Sequence, residues 1–368
     1  MKRAGVVGAG GAGFPTHVKL QARVDTVIAN GAECEPLLAC DKVAMQHQAA
    51  LLCRGLDIVK QVTGADRAVI ALKSRDPKLL TPLRKAADEI GAEIFLLADV
   101  YPAGDEQVTV FEVTGRIVPE SGLPLDVGCV VDNVITLINV ARAVDDGQPV
   151  TDRLLTIHGE VHRPVTVSLP IGTPFHRALE IADGPRLDSY VILEGGPVMG
   201  PVVTDMEVTV KKTTSGLIVL SPEHPLVRRK LASIRREVQI GASVCCQCRM
   251  CTDLCPRFLL GHEIHPHLVM RSSMHSGYRD AAPEQVTNAY LCCDCGVCEL
   301  IACPLDLSPR KVNMSLRQVL AANGIANPHR RREVAPHPQR RHRMVPTSRL
   351  VARLGLAPYY HEKAAFDA

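Results

Sequence analysis

The chain has 368 residues, 46% of them hydrophobic and 22% charged, which excludes a disordered chain and leaves enough apolar side chains for two or three domains. Trp is absent and aromatics are 3%, which argues against an aromatic stacking surface for single-stranded nucleic acid, and no run of 18 uncharged apolar residues suggests a membrane span. The net charge of +3 is uneven: residues 329–349 hold seven Arg and one Glu, a local +6, so the remainder carries −3.

In chain order, residues 1–147 alternate short apolar runs with amphipathic stretches. Strands are expected at Gly5–Gly8, Thr26–Ala29, Arg67–Lys73, Ile94–Ala98 and Gly128–Asp132, with helices at Val43–Val62 and Pro77–Ile90. Such alternation predicts an α/β, Rossmann-like parallel sheet covered on both faces. A Gly/Pro-containing linker at Asp145–Thr151 precedes a small mixed α+β domain at 151–222. Its expected elements are strands Leu154–Gly159, Val165–Leu169, Tyr190–Leu193 and Leu217–Leu220, and a helix Pro174–Ala182. One basic helix is expected over 224–242, a cysteine-bearing domain over 235–325, and a basic, partly disordered tail over 326–368 with a short helix at Thr347–Leu354.

Of 14 cysteines, ten lie in two bursts. With no signal-peptide core in MKRAGVVGAGGAG, tight clusters suit metal in a reduced, intracellular protein rather than a disulfide framework. Cys245, Cys248, Cys251 and Cys255-Pro256 give C-x2-C-x2-C-x3-C-P, the bacterial ferredoxin run. Cys292, Cys295, Cys298 and Cys303-Pro304 repeat it with one extra residue in the last gap. Three thiolates two residues apart can wrap one cubane face, and the fourth ligates the other cluster. Cys245, Cys248, Cys251 and Cys303 are therefore assigned to one [4Fe–4S] cluster, and Cys292, Cys295, Cys298 and Cys255 to the second. Two structural zinc sites are the alternative, disfavoured because zinc ribbons use paired C-x2-C. Cys246 and Cys293 read as neighbouring thiols or alternative ligands. Cys40, Cys53 and Cys129 read as buried small hydrophobes, with Cys34 set apart from them.

Gly8-Ala-Gly10-Gly11-Ala-Gly13 satisfies G-x-G-x-x-G after an expected strand, and Glu33 lies twenty residues on, where a ribose-binding acid is expected. The longer string from Gly8 to Lys19 resembles the flavin-binding loop of the NADH-oxidising flavoprotein subunit of respiratory complex I, and is more similar still to the C subunit of the Rnf electron-transport complex. Asn30-Gly-Ala-Glu33-Cys-Glu35-Pro, Tyr101-Pro-Ala-Gly-Asp-Glu106 and Asp132-Asn133-Val-Ile-Thr136-Leu continue the resemblance. His158–Val161 and Leu169–Pro174 resemble a soluble-ligand-binding β-grasp domain, and Val345–Leu356 resembles the cobalamin reductases of propanediol-utilisation microcompartments.

The resemblance implies that Gly8, Gly10, Gly11, Gly13 and Lys19 hold FMN by its phosphate and ribityl chain. It implies that Asn30, Asn133 and Thr136 hydrogen-bond the flavin, and that Glu33, Glu35 and Glu106 line the nicotinamide side as catalytic residues, with Tyr101 as a wall. NADH is then the electron donor, and FMN and the two clusters convert a hydride into single electrons. The implied acceptor is cobalamin, with its adenosyltransferase, or another electron-acceptor protein, in the cytoplasm inside a microcompartment with shell proteins as partners. An Rnf-type input subunit is the second reading, for which a further amino-terminal domain and an Ala/Lys-rich tail are expected. A non-enzymatic electron relay is the third. Nucleic acid is not an expected partner, because the Arg-rich segment is interleaved with His and Pro.

Overall fold

The computed structural model describes residues 1–74, 76–275, 283–360 and 365–366. Twelve strands are found among the described residues: β1 (Thr26–Gly31), β2 (Arg67–Leu72), β3 (Glu93–Leu96), β4 (Val100–Tyr101), β5 (Cys129–Asn133), β6 (Asp152–Gly159), β7 (Val165–Pro170), β8 (Val191–Glu194), β9 (Val202–Val203), β10 (Gly216–Leu220), β11 (Val345–Pro346) and β12 (Ala365–Phe366).

The order β3-β2-β1-β5 makes an all-parallel sheet, with Val27 opposite Ala68 and Val130, and Ile28 opposite Val69 and Val131. Successive side chains leave a strand on opposite faces, and both faces are buried. Val27, Ala29, Ile70, Leu72 and Val130 pack with Leu52, Leu56, Leu83 and Leu137, from helices Ala49–Thr63, Pro77–Glu89 and Val134–Asp145. Ile28, Val69, Ala71 and Val131 pack with Val110 and Val113 of helix Glu106–Thr114. Double coverage explains why these strands read as unbroken apolar runs.

The second sheet has the order β12-β7-β6-β10-β8-β9 and is mixed. Its core holds Leu155, Ile157, Leu217 and Val219 against Phe175, Ala178 and Leu179 of helix Phe175–Ile181. The cysteine-bearing part is helical, with Pro266–His275 and Pro309–Ala322 packed around Val269, Met270, Val312 and Leu316. Among the described residues no helix is long and apolar enough to cross a membrane.

Four expectations change. No strand forms at Gly5–Gly8; Val7 makes one isolated bridge to Pro15, because the chain folds straight back and the Gly8 amide donates to the Phe14 carbonyl at 2.8 Å. The glycine loop thus precedes the sheet instead of following its first strand, and only the short helix Thr16–Lys19 comes after it. The helix expected at 43–62 is two, Cys40–His47 and Ala49–Thr63, broken at Gln48 (φ −128°, ψ 32°). The helix expected at 224–242 is also two, Pro225–Leu231 and Ile234–Val244, because Ala232 is extended and the Ser233 hydroxyl caps the second helix by accepting from the Arg236 amide. Residues 326–346 have little regular structure yet follow a defined course, tied by the Glu120 amide to the Arg331 carbonyl, by the His337 amide to the Leu259 carbonyl, and by β11 pairing with β4. The last expected tail residues, 361–364 and 367–368, lie outside the described residues.

Helix Ala49–Thr63 crosses helix Val134–Asp145 at Gly55, where an added Cβ would lie 1.9 Å from the Leu137 carbonyl oxygen. The obstacle is main chain and cannot rotate away, so Gly55→Ala is expected to destabilise the parallel-sheet domain by about 3 kcal/mol, at the upper end of overpacking penalties. Urea denaturation followed by circular dichroism measures it; a midpoint unchanged from the parent would contradict this packing.

Candidate functional site

A cleft of about 330 Å³ opens where the glycine loop meets the carboxyl ends of β1 and β5, the usual ligand position of a parallel sheet. Gly8, Gly10, Lys19, Asn30, Glu33, Glu35, Tyr101, Glu106 and Asn133 all line it. Gly11 and Gly13 instead shape the loop behind it, at φ +110° and +64°. Thr136 stands behind as well: its Oγ1 accepts from the Ala9 amide at 2.8 Å and anchors the loop to helix Val134–Asp145.

Glu33 and Glu35 are held by backbone amides, whereas Glu106 is 40% exposed and held by Lys19. Glu33, at φ 31°, accepts from the Asp41 amide at 2.7 Å, at the start of helix Cys40–His47. Asp41 in turn accepts from Asn133 Nδ2 at 2.9 Å. Burial pushes the Glu33 carboxyl well above the usual carboxylate range, and neighbouring Asp41 adds to it. Glu35 accepts from the Val198 and Met199 amides, both at 2.8 Å, from a loop of the second sheet. Its carboxyl is raised by burial, against the pull of those two amides. Asn30 donates to the Gly104 carbonyl at 2.9 Å, and the Gly104 amide reaches the Cys34 sulfur at 2.8 Å.

Lys19, expected as a point charge for a phosphate, lies in the cleft among carboxylates. Its ammonium donates to the Val131 carbonyl at 2.6 Å and to Glu106 at 3.1 Å, and lies 3.5 Å from Asp132. Burial works to lower the Lys19 ammonium, but Asp132 and then Glu106 outweigh it and hold it above its usual range. Asp132 is pushed up to about 6, chiefly by burial and against Lys19.

The buried cation with spare hydrogen-bonding capacity is Arg153, from β6 of the second sheet. It is 3% exposed, donates through Nε to the Thr214 carbonyl at 2.8 Å and through Nη2 to the Ala9 carbonyl at 2.9 Å, and its Nη1 has no partner. Sequence reasoning missed Arg153, since nothing local marks an arginine on a strand of another sheet. Asp132 was more legible as a lone charge in the buried run Cys129–Asn133. Two unpartnered buried polar groups on the wall, Arg153 Nη1 and Asp132 Oδ2, fit a cleft that receives a polar ligand.

The cysteines gather in two cavities. Cys245, Cys248, Cys251 and Cys303 line one, and Cys255, Cys292, Cys295 and Cys298 the other, so each triplet meets the last cysteine of the opposite burst. Both loops wind through left-handed residues at matching places, Gln247 and Arg249 in the first, Asp294 and Gly296 in the second. Cys246 lines the first cavity, while Cys293 lines both the second cavity and the cleft. Asn313 is fully buried against the second cavity with neither amide atom partnered by protein, which fits a polar inorganic guest. Tyr101 joins the two sites: its hydroxyl donates to the Cys295 carbonyl at 2.7 Å.

Residues 1–142 match the Nuo51 FMN-binding domain, and residues 244–308 match a 4Fe-4S dicluster domain. The chain is 44% identical to cobalamin reductase PduS of Citrobacter freundii, over 98% of this chain and 79% of that protein. It is 34% identical to the C subunit of the proton-translocating ferredoxin:NAD(+) oxidoreductase of Clostridium ljungdahlii, over 70% of this chain and 55% of that relative. Among solved structures, an NAD+-reducing [NiFe]-hydrogenase superposes with a TM-score of 0.57 at 22% identity, over 89% of this chain and 66% of that one, a likeness of fold.

Two outcomes follow from the site. Because the folded protein holds the Asp132 proton up to about pH 6, against the 3.8 of a free carboxyl, that group's stabilisation is full below about pH 4 and lost as pH rises through 6. Asp132→Asn is expected to flatten the flavin-free protein's stability over that window by about 3 kcal/mol, read from urea midpoints at each pH. An unchanged slope would mean that Asp132 is ionised throughout. For the cysteines, the parent prepared without air is expected to carry eight irons, and Cys303→Ser about four, with the cluster of Cys292, Cys295 and Cys298 retained by electron paramagnetic resonance. Two zincs and no acid-labile sulfide would refute the cluster assignment.

Proposed function

We propose, because this chain belongs to the family that contains cobalamin reductase PduS and the C subunits of ion-translocating ferredoxin:NAD(+) oxidoreductases, with FMN and two [4Fe–4S] clusters as its cofactors, that it is an NADH-dependent reductase delivering single electrons to cob(III/II)alamin or a redox protein in a bacterial microcompartment. The observation that carries this reading is the shared wall. Tyr101, Cys293 and Cys295 line the cleft, and the last two also line a cysteine cavity, so a hydride site and a one-electron site would be separated by a single layer of protein.

Bound FMN supplies hydride acceptance coupled to single-electron release, and each cluster carries one electron. The rest falls to the chain's own residues. Gly8 and Gly10 present main chain without side chains, and Arg153 brings a desolvated guanidinium whose Nη1 is uncommitted; together they would hold the phosphate. Lys19 then acts by neutralising Asp132 and Glu106 on the wall. Asn30 and Asn133, each fixed by a second hydrogen bond, would orient the ring and ribityl hydroxyls. Glu33, Glu35, Glu106 and Tyr101 would flank the nicotinamide. Glu35 has both oxygens engaged by amides, so its position does not wait on the substrate.

The alignment with PduS runs over 98% of the chain and that with the Clostridium relative over 70%, which favours cobalamin reduction over service as the input component of a membrane complex. Hydride transfer needs only the cleft, whereas delivery to a one-electron acceptor needs the cysteine cavities. Cys248→Ser is therefore expected to keep NADH reduction of the flavin within about twofold while slowing aquacobalamin reduction more than tenfold. Glu33→Gln is expected to slow flavin reduction and leave the clusters reducible by dithionite. Stopped-flow absorbance at the flavin band and an anaerobic cobalamin assay read both; undiminished cobalamin reduction in Cys248→Ser would overturn the relay.

A further inference from the structure

Helix Pro309–Ala322 has an apolar face and a polar one, both turned into the protein. Val312, Leu316 and Leu320 recur at four-residue spacing and are buried against Val269 and Met270. Arg310, Asn313 and Arg317 recur at spacings of three and four on the adjoining face and meet the loop of the Cys292 triplet. Arg310 Nε pairs with Asp294, its Nη1 reaches the Val198 carbonyl at 3.3 Å, and Arg317 Nη1 donates to the Cys292 carbonyl at 3.3 Å. Asn313 lies between these two arginines, is fully buried, and has no protein partner at either Nδ2 or Oδ1. It lines the cavity of Cys255, Cys292, Cys295 and Cys298.

A buried amide left unpaired costs about 1–3 kcal/mol, and a leucine of nearly the same shape would avoid that cost. The polar side chain is useful there only if the occupant of the cavity accepts from it. A thiolate or sulfide sulfur accepts and does not donate, so Nδ2 is the atom that serves it. The other cavity has no counterpart. None of its lining side chains carries a buried, unpartnered nitrogen or oxygen among the described residues. Its Cys246 and Cys248 are exposed, and Gln247 Nε2, which reaches the Cys245 sulfur at 3.3 Å, is only part-buried, so water competes at that site. In the Cys292 cavity Cys255, Cys295 and Cys298 are all buried, and a hydrogen bond acts at lower dielectric.

We propose that Asn313 sets the reduction potential of the cluster beside the cleft, through a hydrogen bond from its Nδ2 to a sulfur of the [4Fe–4S] group in the Cys292 cavity. One added electron makes those sulfurs more negative. A donor aimed at them therefore stabilises the reduced form more than the oxidised form and raises the potential. Burial acts in the opposite sense, by penalising the added charge. Asn313 offsets burial without bringing a net charge, which the two flanking arginines could not do. The proposal needs the clusters but neither NADH nor cobalamin, so it stands or falls apart from the reductase reading.

The test is a redox titration of the full, cluster-loaded chain with dithionite, followed by electron paramagnetic resonance, beside an iron determination. The signal of the Cys292 cavity is the one that persists in Cys303→Ser. Asn313→Leu should keep eight irons and lower the reduction equilibrium of that signal about tenfold, which for one electron is about 59 mV. The signal of the Cys245 cavity should stay within twofold. Asn313→Ser returns an O–H donor and should recover part of the change, leaving about threefold. Leu320→Ala opens a cavity two turns along the apolar face of the same helix and should leave the Cys292 signal within twofold, although it destabilises the fold. A Cys292 signal within twofold of the parent in Asn313→Leu, or an equal shift in Leu320→Ala, would overturn the assignment. Should Asn313→Leu alone fail to hold the cluster, Asn313→Ser decides: a threefold shift supports the hydrogen bond, and the parent's potential refutes it. Iron falling to about four in both Asn313 variants would make the residue a structural support of the loop and would equally overturn the proposal.

Discussion

The arrangement depends on one buried seam. The Tyr101 hydroxyl donates to the Cys295 carbonyl across 194 residues of sequence, and beside it Arg257 Nη2 reaches Asp105 at 3.0 Å with both side chains largely buried. Asp105 serves two elements at once: it also accepts from the Gln107 and Val108 amides, each at 3.1 Å, and so starts helix Glu106–Thr114. A buried ion pair of this kind adds little net stability over apolar packing, while removing one partner typically costs about 3–5 kcal/mol. Its effect here is positional. It fixes the cysteine-bearing helices against the cleft, and the closeness of the cleft to the cavity of the Cys292 triplet follows.

The basic tail acts through the same seam. Arg331 pairs with Glu120 and Glu263, Arg343 with Asp253, and Arg340 with Glu112 while lying 4.6 Å over the Phe111 ring. Val345 then pairs with Tyr101 as β11 on β4, and the Thr347 hydroxyl donates to Asp99 at 2.7 Å. Exposed pairs of this kind are individually worth about 0–1 kcal/mol. Arg340 differs in being 6% exposed, so its guanidinium has to stay paired. The tail is thus a strap in which part of the local positive charge meets acidic residues of the rest of the chain.

The second sheet contributes to the cleft as much as the first. Its loop at 198–199 clamps Glu35, and its Arg153 holds the glycine loop through the Ala9 carbonyl. The shape of the cleft is therefore coupled to the packing of two sheets, and a change in the β6–β10 region can reach it without touching the glycine loop.

The sequence by itself determined the parts whose signals are local. Parallel strands buried on both faces read as apolar runs, cysteine triplets followed by Cys-Pro carry their own spacing, and the strings around Gly8, Asn30, Tyr101 and Asp132 marked most of the cleft. It misled where a local pattern had two physical solutions. Gly5–Gly8 looked like a strand because three apolar or small residues precede a glycine run, yet that run closes on Phe14 and leaves the first sheet strand to Thr26–Gly31. For Lys19, expected at a phosphate, nothing nearby in sequence announced that Asp132 and Glu106 would stand beside its ammonium. Only the tertiary structure decided these points, together with Arg153 at the glycine loop, the course of the strap, and which cysteine cavity faces the cleft. Apart from the short Gly8–Phe14 closure, each depends on contacts between residues roughly 90 to 240 positions apart, and the energy of such a contact leaves no periodicity or spacing in the chain from which it could be read.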